Sequence, residues 1–267
     1  MRYIDGPRPR LFAHRGGSLE APENTLEAFQ NGLTQGCDRL ELDIHASADG
    51  ELVVIHDPTL ERTTDGTGEV RRRTLAELRQ LDAGAQFIAA DSSRPFAGRG
   101  LRIPTFVEVL EQFPEVALNV EIKQGEPAIV QATFDLLERH GARQRVLLAA
   151  EHDDIMAEIR ARDPGGPTGA SVGDVLGFIA AWTENRIDRW QAPGLAFQIP
   201  PDFAGNPLVT QESMARMHAA GLEVHIWTIN EAAEIERLLD LGVDGIMTDR
   251  PSVAAKVFRR RSLDLRG

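Results

Sequence analysis

The sequence predicts a (β/α)8 barrel, an α/β fold of the TIM-barrel type, and three observations carry that fold class. Short apolar runs with strand character alternate with amphipathic helical stretches almost to the C-terminus. Eight such pairs fit within 267 residues, the usual length of one barrel. No Gly-x-Gly-x-x-Gly follows the first strand, which removes the strongest signal for the competing doubly wound sheet.

In chain order, strands are expected over 10–14, 39–45, 117–123, 146–150, 168–172, 195–199, 223–229 and 245–248. Helices are expected over 24–35, 105–112, 127–140, 153–162, 173–185, 211–220, 231–241 and 252–260. Asn24 and Thr105 are the expected N-caps, and Gly141, Gly221 and Gly242 the expected stops. One stretch, 52–102, breaks the alternation. It holds an extra strand over 52–55, a short helix over 74–81 and a Gly/Ser/Arg/Pro loop over 90–100. Residues 58–102 are therefore read as a rim insertion, too small for a core of its own, on a single domain spanning 1–267.

Composition narrows the partners. With 42% hydrophobic and 26% charged residues, the chain is ordinary for a globular protein and can bury a full core. A net charge of −12 argues against nucleic acid, which needs a basic footprint, but leaves room for a small anionic substrate. The single cysteine, Cys37, has no partner for an internal disulfide and no adjacent histidine, so it reads as a packing residue. The N-terminal segment lacks an apolar signal core, and no 18-residue uncharged apolar stretch exists, so a cytoplasmic protein without stable membrane insertion is expected.

The chemistry concentrates near the N-terminus. Side chains alternate faces along a strand, so Glu41 and Asp43 point the same way, and such a pair repels unless a cation or shared proton lies between. Glu121 ends up on the same inner face at a neighbouring strand end. An all-oxygen set of this kind suits Mg²⁺ or Ca²⁺ better than zinc. The plainer alternative is a set of buried carboxylates satisfied by Arg15 and Lys123 alone.

His14 ends the first strand and His56 ends the extra one, each beside a charged residue. Histidine titrates near neutral pH, so the pair can supply a general acid and a general base. His45, His140, His152, His218 and His225 read as core or surface filler, although His45 continues the Glu41/Asp43 face. Arg15 can fork onto phosphate oxygens and Lys123 adds a point charge, with a buried salt bridge to Glu121 as the bland alternative. Trp227 is either an apolar wall for the alcohol part of a substrate or barrel-rim core.

In this order the residues resemble the glycerophosphodiester phosphodiesterase family. The matching motifs are Ala13-His14-Arg15-Gly16-Gly17, Pro22-Glu23-Asn24-Thr25, Glu41-Leu42-Asp43, His56-Asp57, Glu121-Ile122-Lys123, Trp227-Thr228-Ile229-Asn230 and the run from Gly242 to Asp249. The resemblance spans 11–251. It implies a (β/α)8 barrel with a small insertion after the second strand, and metal-dependent hydrolysis of glycerophosphodiesters to sn-glycerol 3-phosphate and an alcohol. It further implies Glu41, Asp43 and Glu121 as ligands of Mg²⁺ or Ca²⁺, His14 and His56 as the acid–base pair, and Arg15 and Lys123 as phosphate ligands.

Two stretches depart from the family pattern. Residues 148–152 read Leu-Ala-Ala-Glu-His where many members carry Ser-Phe, and 175–182 form an apolar run at the expected rim. That run is the buried face of an ordinary helix or a lipid-facing lip. A lysophospholipase D on the same scaffold is accordingly the nearest rival function, with contact to a lipid surface. A catalytically silent phosphate-binding barrel is the rival of another class, but it predicts loss of a histidine or carboxylate, and none is lost.

Overall fold

The computed structural model describes residues 2–163 and 166–262. In chain order its strands are β1 (Arg10–Ala13), β2 (Arg39–Ala46), β3 (Leu52–Val54), β4 (Ala117–Ile122), β5 (Val146–Ala149), β6 (Ala196–Ile199), β7 (Asp202–Phe203), β8 (Asn206–Pro207), β9 (Glu223–Ile226) and β10 (Gly245–Thr248). The helices are α1 (Leu26–Gln35), α2 (Leu75–Leu78), α3 (Phe106–Gln112), α4 (Val130–Arg139), α5 (Asp153–Arg162), α6 (Val172–Thr183), α7 (Gln211–Ala219), α8 (Ala232–Asp240) and α9 (Pro251–Arg260).

Seven strands run parallel in the order β5-β4-β2-β1-β10-β9-β6, while β3 pairs antiparallel with β2 and β7–β8 form a separate hairpin. The strand expected over 168–172 is absent. Ser171 caps α6 through a capping box with Asp174, so the helix claims the backbone from Val172 onward. The extended segment around Thr168 still occupies the eighth place. It bonds to β5 through Leu148 N to Pro167 O (3.2 Å) and Gly169 N to Leu148 O (2.9 Å). On its other side Leu195 N donates to Thr168 O at 2.8 Å, which joins the two ends of the sheet into a barrel.

Helix ends follow local chemistry. Thr105 caps α3 in a capping box with Glu108, as expected, and Gly141, Gly221 and Gly242 stand at positive φ beyond α4, α7 and α8. The expected Asn24 cap is displaced by one residue: Thr25 Oγ1 accepts from Ala28 N, which frees the Asn24 side chain for another use. Leu40, Leu42 and Ile44 face outward from β2 into the main core beneath the helices, where Cys37 also packs. A small core forms at the insertion, but it is shared with its neighbours and is not the insertion's own. Val53 and Ile55, at β3, join Leu60, Val70, Leu78, Ala83, Leu101 and Ile103 in a separate apolar cluster. Because β3 borders the insertion, it lends side chains that the insertion alone lacks. No helix among the described residues is long and apolar enough to cross a membrane.

The barrel lumen is layered. Phe12, Leu147, Ala196 and Met247 fill its middle, and Gln198 Nε2 donates to Asn119 Oδ1 at 2.7 Å. At the N-terminal floor the Arg10 guanidinium donates to both Glu223 oxygens, at 2.9 and 2.7 Å, while His225 Nε2 lies 3.0 Å from the same carboxylate. Tyr3 closes this end, with Arg39 stacked 5.2 Å from its ring centre. Burial opposes ionisation of Glu223, but the hydrogen bonds of His225 and Arg10 outweigh it and hold the carboxyl far below its ordinary range.

Removing one partner of a buried ion pair strands the other charge, so Glu223→Gln is expected to cost about 3–5 kcal/mol in urea unfolding near neutral pH. The sign with pH follows from the depressed native value. As pH falls, the unfolded chain takes up the proton first, and the stability supplied by this carboxylate is lost below the ordinary glutamate value of about 4.3. The difference between wild type and variant should therefore narrow on acidification, and a difference independent of pH would assign the loss to packing instead.

Candidate active site

The site is built at the C-terminal mouth of the barrel, where β1 hands over to a tight turn. His14, Arg15 and Gly16 form a single 3-10 turn in which Arg15 has φ 51°, followed by Gly16 at 87° and Gly17 at 102°. A side chain on Gly16 would sit 2.6 Å from Ala28 Cβ and 2.7 Å from the Ala28 backbone. The turn is thereby seated on the start of α1, and a side chain on Gly17 would sit 2.6 Å from the Pro251 ring, which is why two glycines follow the histidine and arginine. It also aims the Arg15 backbone N–H at Glu41, whose Oε2 accepts at 2.9 Å.

Parallel pairing of β2 with β4 sets Asp43 opposite Glu121, and the two-residue repeat places Glu41 on the same inner face. One carboxylate oxygen from each of Glu41, Asp43 and Glu121 can be chosen so that all lie within 4.8 Å of one another. Both residues on β2 are almost fully buried. Lys123 Nζ stands 2.8 Å from Glu121 and 3.5 Å from Asp43, and Arg15 Nε stands 3.3 Å from Asp43. The salt bridges anticipated as the plain alternative are thus present, but they do not satisfy the whole cluster. Arg15 is shared with a further carboxylate, Glu23, at 3.1 Å, and neither cation side chain pairs with Glu41.

The electrostatics divide the carboxylates. Burial acts to raise the Asp43 pKa, but Arg15 and Lys123 outweigh it and hold the group below its ordinary value. Burial and the neighbouring Asp43 push Glu41 up to about 7. Three crowded oxygens with one under-compensated carboxylate fit a hard divalent cation, whose oxygen ligands lie at about 2.0–2.6 Å.

Each histidine is held by an aspartate through Nδ1. His14 Nδ1 lies 2.7 Å from Asp249 Oδ1, and its Nε2 faces Glu41 at 3.9 Å. Asp249 also accepts from Ser18 Oγ (2.7 Å) and Asn230 Nδ2 (3.0 Å). Burial works against protonation of His14, but Glu41 and Asp249 outweigh it and raise its pKa. His56 Nδ1 lies 2.6 Å from Asp57 Oδ1, and Asp57 is in turn held by Arg62. An ionised carboxylate at Nδ1 favours the tautomer with the hydrogen there and leaves Nε2 without it.

Six of the expected residues therefore converge: His14, Arg15, Glu41, Asp43, Glu121 and Lys123. His56 borders the same recess as Glu23 and Asn24. Trp227 lies past the end of β9, since the strand expected over 223–229 stops at Ile226, and its side chain is 42% exposed at the rim. His45 is buried, and its Nε2 donates to the His56 carbonyl oxygen at 3.0 Å.

Four supporting residues were not legible as such. Asn24, expected as a cap, donates from Nδ2 to Asp43 Oδ2 at 3.0 Å. Glu23 and Asp249 lie inside the Pro22–Thr25 and Gly242–Asp249 motifs, which signalled importance but no role. Arg62 carried no signal, being one arginine among many in the insertion.

Comparison with known proteins agrees with this geometry. The profile of the Glycerophosphoryl diester phosphodiesterase family matches residues 14–253. A glycerophosphodiester phosphodiesterase of Caldanaerobacter subterraneus subsp. tengcongensis is 32% identical over 256 residues, covering 94% of this chain and 98% of its own. A lysophospholipase D of Mus musculus is 28% identical, covering 91% of this chain and 84% of its own. An Oleispira antarctica phosphodiesterase, solved in complex with the product sn-glycerol-3-phosphate, superposes with a TM-score of 0.77 at 29% identity, covering 94% of this chain and 97% of its own. With the barrel, the motifs and a family profile running through nearly its whole length, the chain belongs to the glycerophosphoryl diester phosphodiesterase family.

Proposed function

We propose that the chain hydrolyses glycerophosphodiesters to sn-glycerol 3-phosphate and an alcohol, with Glu41, Asp43 and Glu121 holding Mg²⁺ or Ca²⁺ and His14 and His56 moving the protons. The observation that carries this reading is the cluster of three carboxylates within 4.8 Å of one another, Glu41 and Asp43 buried and Glu121 partly so, next to His14 and in electrostatic reach of His56. The chain is a phosphodiesterase by family, and a relative holding sn-glycerol-3-phosphate supports the product.

When bound, the cation offsets negative charge developing on the phosphoryl oxygens, usually the largest catalytic contribution. Arg15 and Lys123, already at the mouth, swing from carboxylate to phosphate partners and orient the diester. One histidine Nε2 takes the proton of the attacking hydroxyl, and the other gives a proton to the leaving alkoxide. The attacking group is the glycerol hydroxyl beside the phosphate, giving a cyclic phosphate that water then opens. Residues 58–102 belong to the same functional unit, because the insertion supplies support for His56. Cys37 serves packing only, which suits a cytoplasmic setting.

A second reading has its own observation. Leu19, Val172, Leu176, Phe203 and Trp227 are exposed apolar side chains; Leu19, Phe203 and Trp227 follow β1, β6 and β9, and Val172 and Leu176 follow the extended segment at Thr168. The 175–182 run divides accordingly: Phe178 is buried in the core, whereas Leu176 is exposed. Such a rim suits a substrate bearing one acyl chain, the activity by which the Mus musculus relative is named.

His14→Ala and His56→Ala are each expected to lower kcat by about 10²–10⁴-fold if they are acid and base, and near-normal turnover in either removes that residue from the scheme. Chelation should abolish product formation, with selective recovery on adding Mg²⁺ or Ca²⁺; turnover insensitive to chelator would overturn the metal assignment. Assayed on glycerophosphocholine and lysophosphatidylcholine, Leu176→Ser should lower kcat/KM only for the lysolipid, by about 3–10-fold for partial loss of an apolar contact. Equal rates of wild type and variant on the lysolipid would remove Leu176 from substrate contact, and no turnover of lysophosphatidylcholine by the wild type would leave the deacylated diester as the substrate class.

A further inference from the structure

We propose that Arg62, supplied by the insertion and anchored on Glu23, is a positioning residue that sets His56 through Asp57. This rests on His56 acting in catalysis. Arg62 Nε donates to Asp57 Oδ2 at 2.6 Å and Nη2 to Asp57 Oδ1 at 3.1 Å. The same guanidinium donates to both Glu23 oxygens, from Nη1 at 2.6 Å and Nη2 at 2.8 Å. Those two carboxylates hold different halves of the site: Asp57 accepts from His56 Nδ1, and Glu23 Oε1 accepts from Arg15 Nη1 at 3.1 Å.

The barrel itself does not explain where His56 points. Unlike His14, which directly follows a central parallel strand, His56 comes two residues after β3, a short antiparallel strand at the barrel edge. Its backbone is steadied by His45, but among the described residues its ring bonds only to Asp57, and Asp57 is held by Arg62. A half-exposed arginine making a single ion pair would contribute little. A planar fork that satisfies two carboxylates at once has a different role, because it sets the angle between them, which a lysine point charge cannot do. All three guanidinium nitrogens are already committed, so Arg62 does not need the substrate to explain its place.

The test is steady-state kinetics on glycerophosphocholine with Arg62→Ala, Arg62→Lys, Asp57→Asn, the Arg62→Ala/Asp57→Asn double variant and His56→Ala, each checked by thermal unfolding. Arg62→Ala should lower kcat by about 10–100-fold, the range seen when the outer partner of a site histidine is lost. KM should change less than about twofold, since only orientation of the proton-transfer group is disturbed. Millimolar guanidinium should recover part of kcat in Arg62→Ala, Arg62→Lys should recover none, and the double variant should be no slower than Asp57→Asn and insensitive to guanidinium. This rescue separates positioning from a folding defect, which a small cation at that concentration would not repair. A raised KM with kcat intact would overturn the proposal in favour of direct substrate contact, as would additive losses in the double variant. If His56→Ala is inactive while Arg62→Ala turns over normally, only the role of Arg62 fails. If His56→Ala itself turns over normally, the catalytic reading of His56 fails, and this inference with it.

Discussion

Repulsion among three carboxylates in the barrel mouth is the constraint that organises the structure around it. Glu41 and Asp43 share one face of β2 because strand side chains repeat every two residues, and parallel pairing brings Glu121 alongside. In a buried setting with weak screening, such crowding is costly unless positive charge is brought in. Arg15 and Lys123 provide part of it, Asn24 contributes a neutral donor, and the left-handed turn after β1 delivers a backbone N–H to Glu41. The charge still falls short at Glu41, whose pKa is pushed up to about 7 by burial and by Asp43. A protein selected only for stability would replace such a cluster by apolar side chains.

The two site histidines repeat one device on two different supports. Both His14 and His56 present Nδ1 to an aspartate, which favours the same tautomer in both, and His14 Nε2 faces Glu41. For His14 the aspartate comes from the far end of the chain, just after β10, whose pairing with β1 fixes the distance between them. For His56 it is the next residue, and the insertion must supply the rigidity that the sheet does not. The satellite cluster of Val53, Ile55, Leu60 and their neighbours serves that purpose by anchoring the insertion on β3.

The opposite end of the barrel shows a contrasting use of charge. Arg10, Glu223 and His225 are also buried together, but there the ionised carboxylate is fully paired and faces the closed floor beneath Tyr3. The Glu223 carboxylate at the floor is satisfied and contributes to stability; Glu41 at the mouth is left under-compensated. Strand direction separates the two roles, since loops at the C-terminal ends of the strands can vary while the floor is sealed.

The sequence by itself determined the barrel class, the positions of seven parallel strands and the inward set of Glu41, Asp43, Glu121 and Lys123, because period-two alternation reports which face a side chain takes. It also marked His14 and His56 as strand-end histidines beside charged residues. It failed where a residue's partner is distant in the chain or where two local preferences compete. The segment after β5 reads as a strand, yet Ser171 and Asp174 commit it to a helix cap, leaving Thr168 to close the barrel by single bridging bonds. Asn24 reads as a cap, yet Thr25 takes that role and Asn24 turns to Asp43. Arg62 reads as one more surface arginine, because only the folded insertion brings it against Glu23, 39 residues away in the chain. Tertiary structure alone decided which carboxylate holds His14 and which stays under-compensated. Those outcomes depend on distances between elements, and a local pattern of side chains does not encode them.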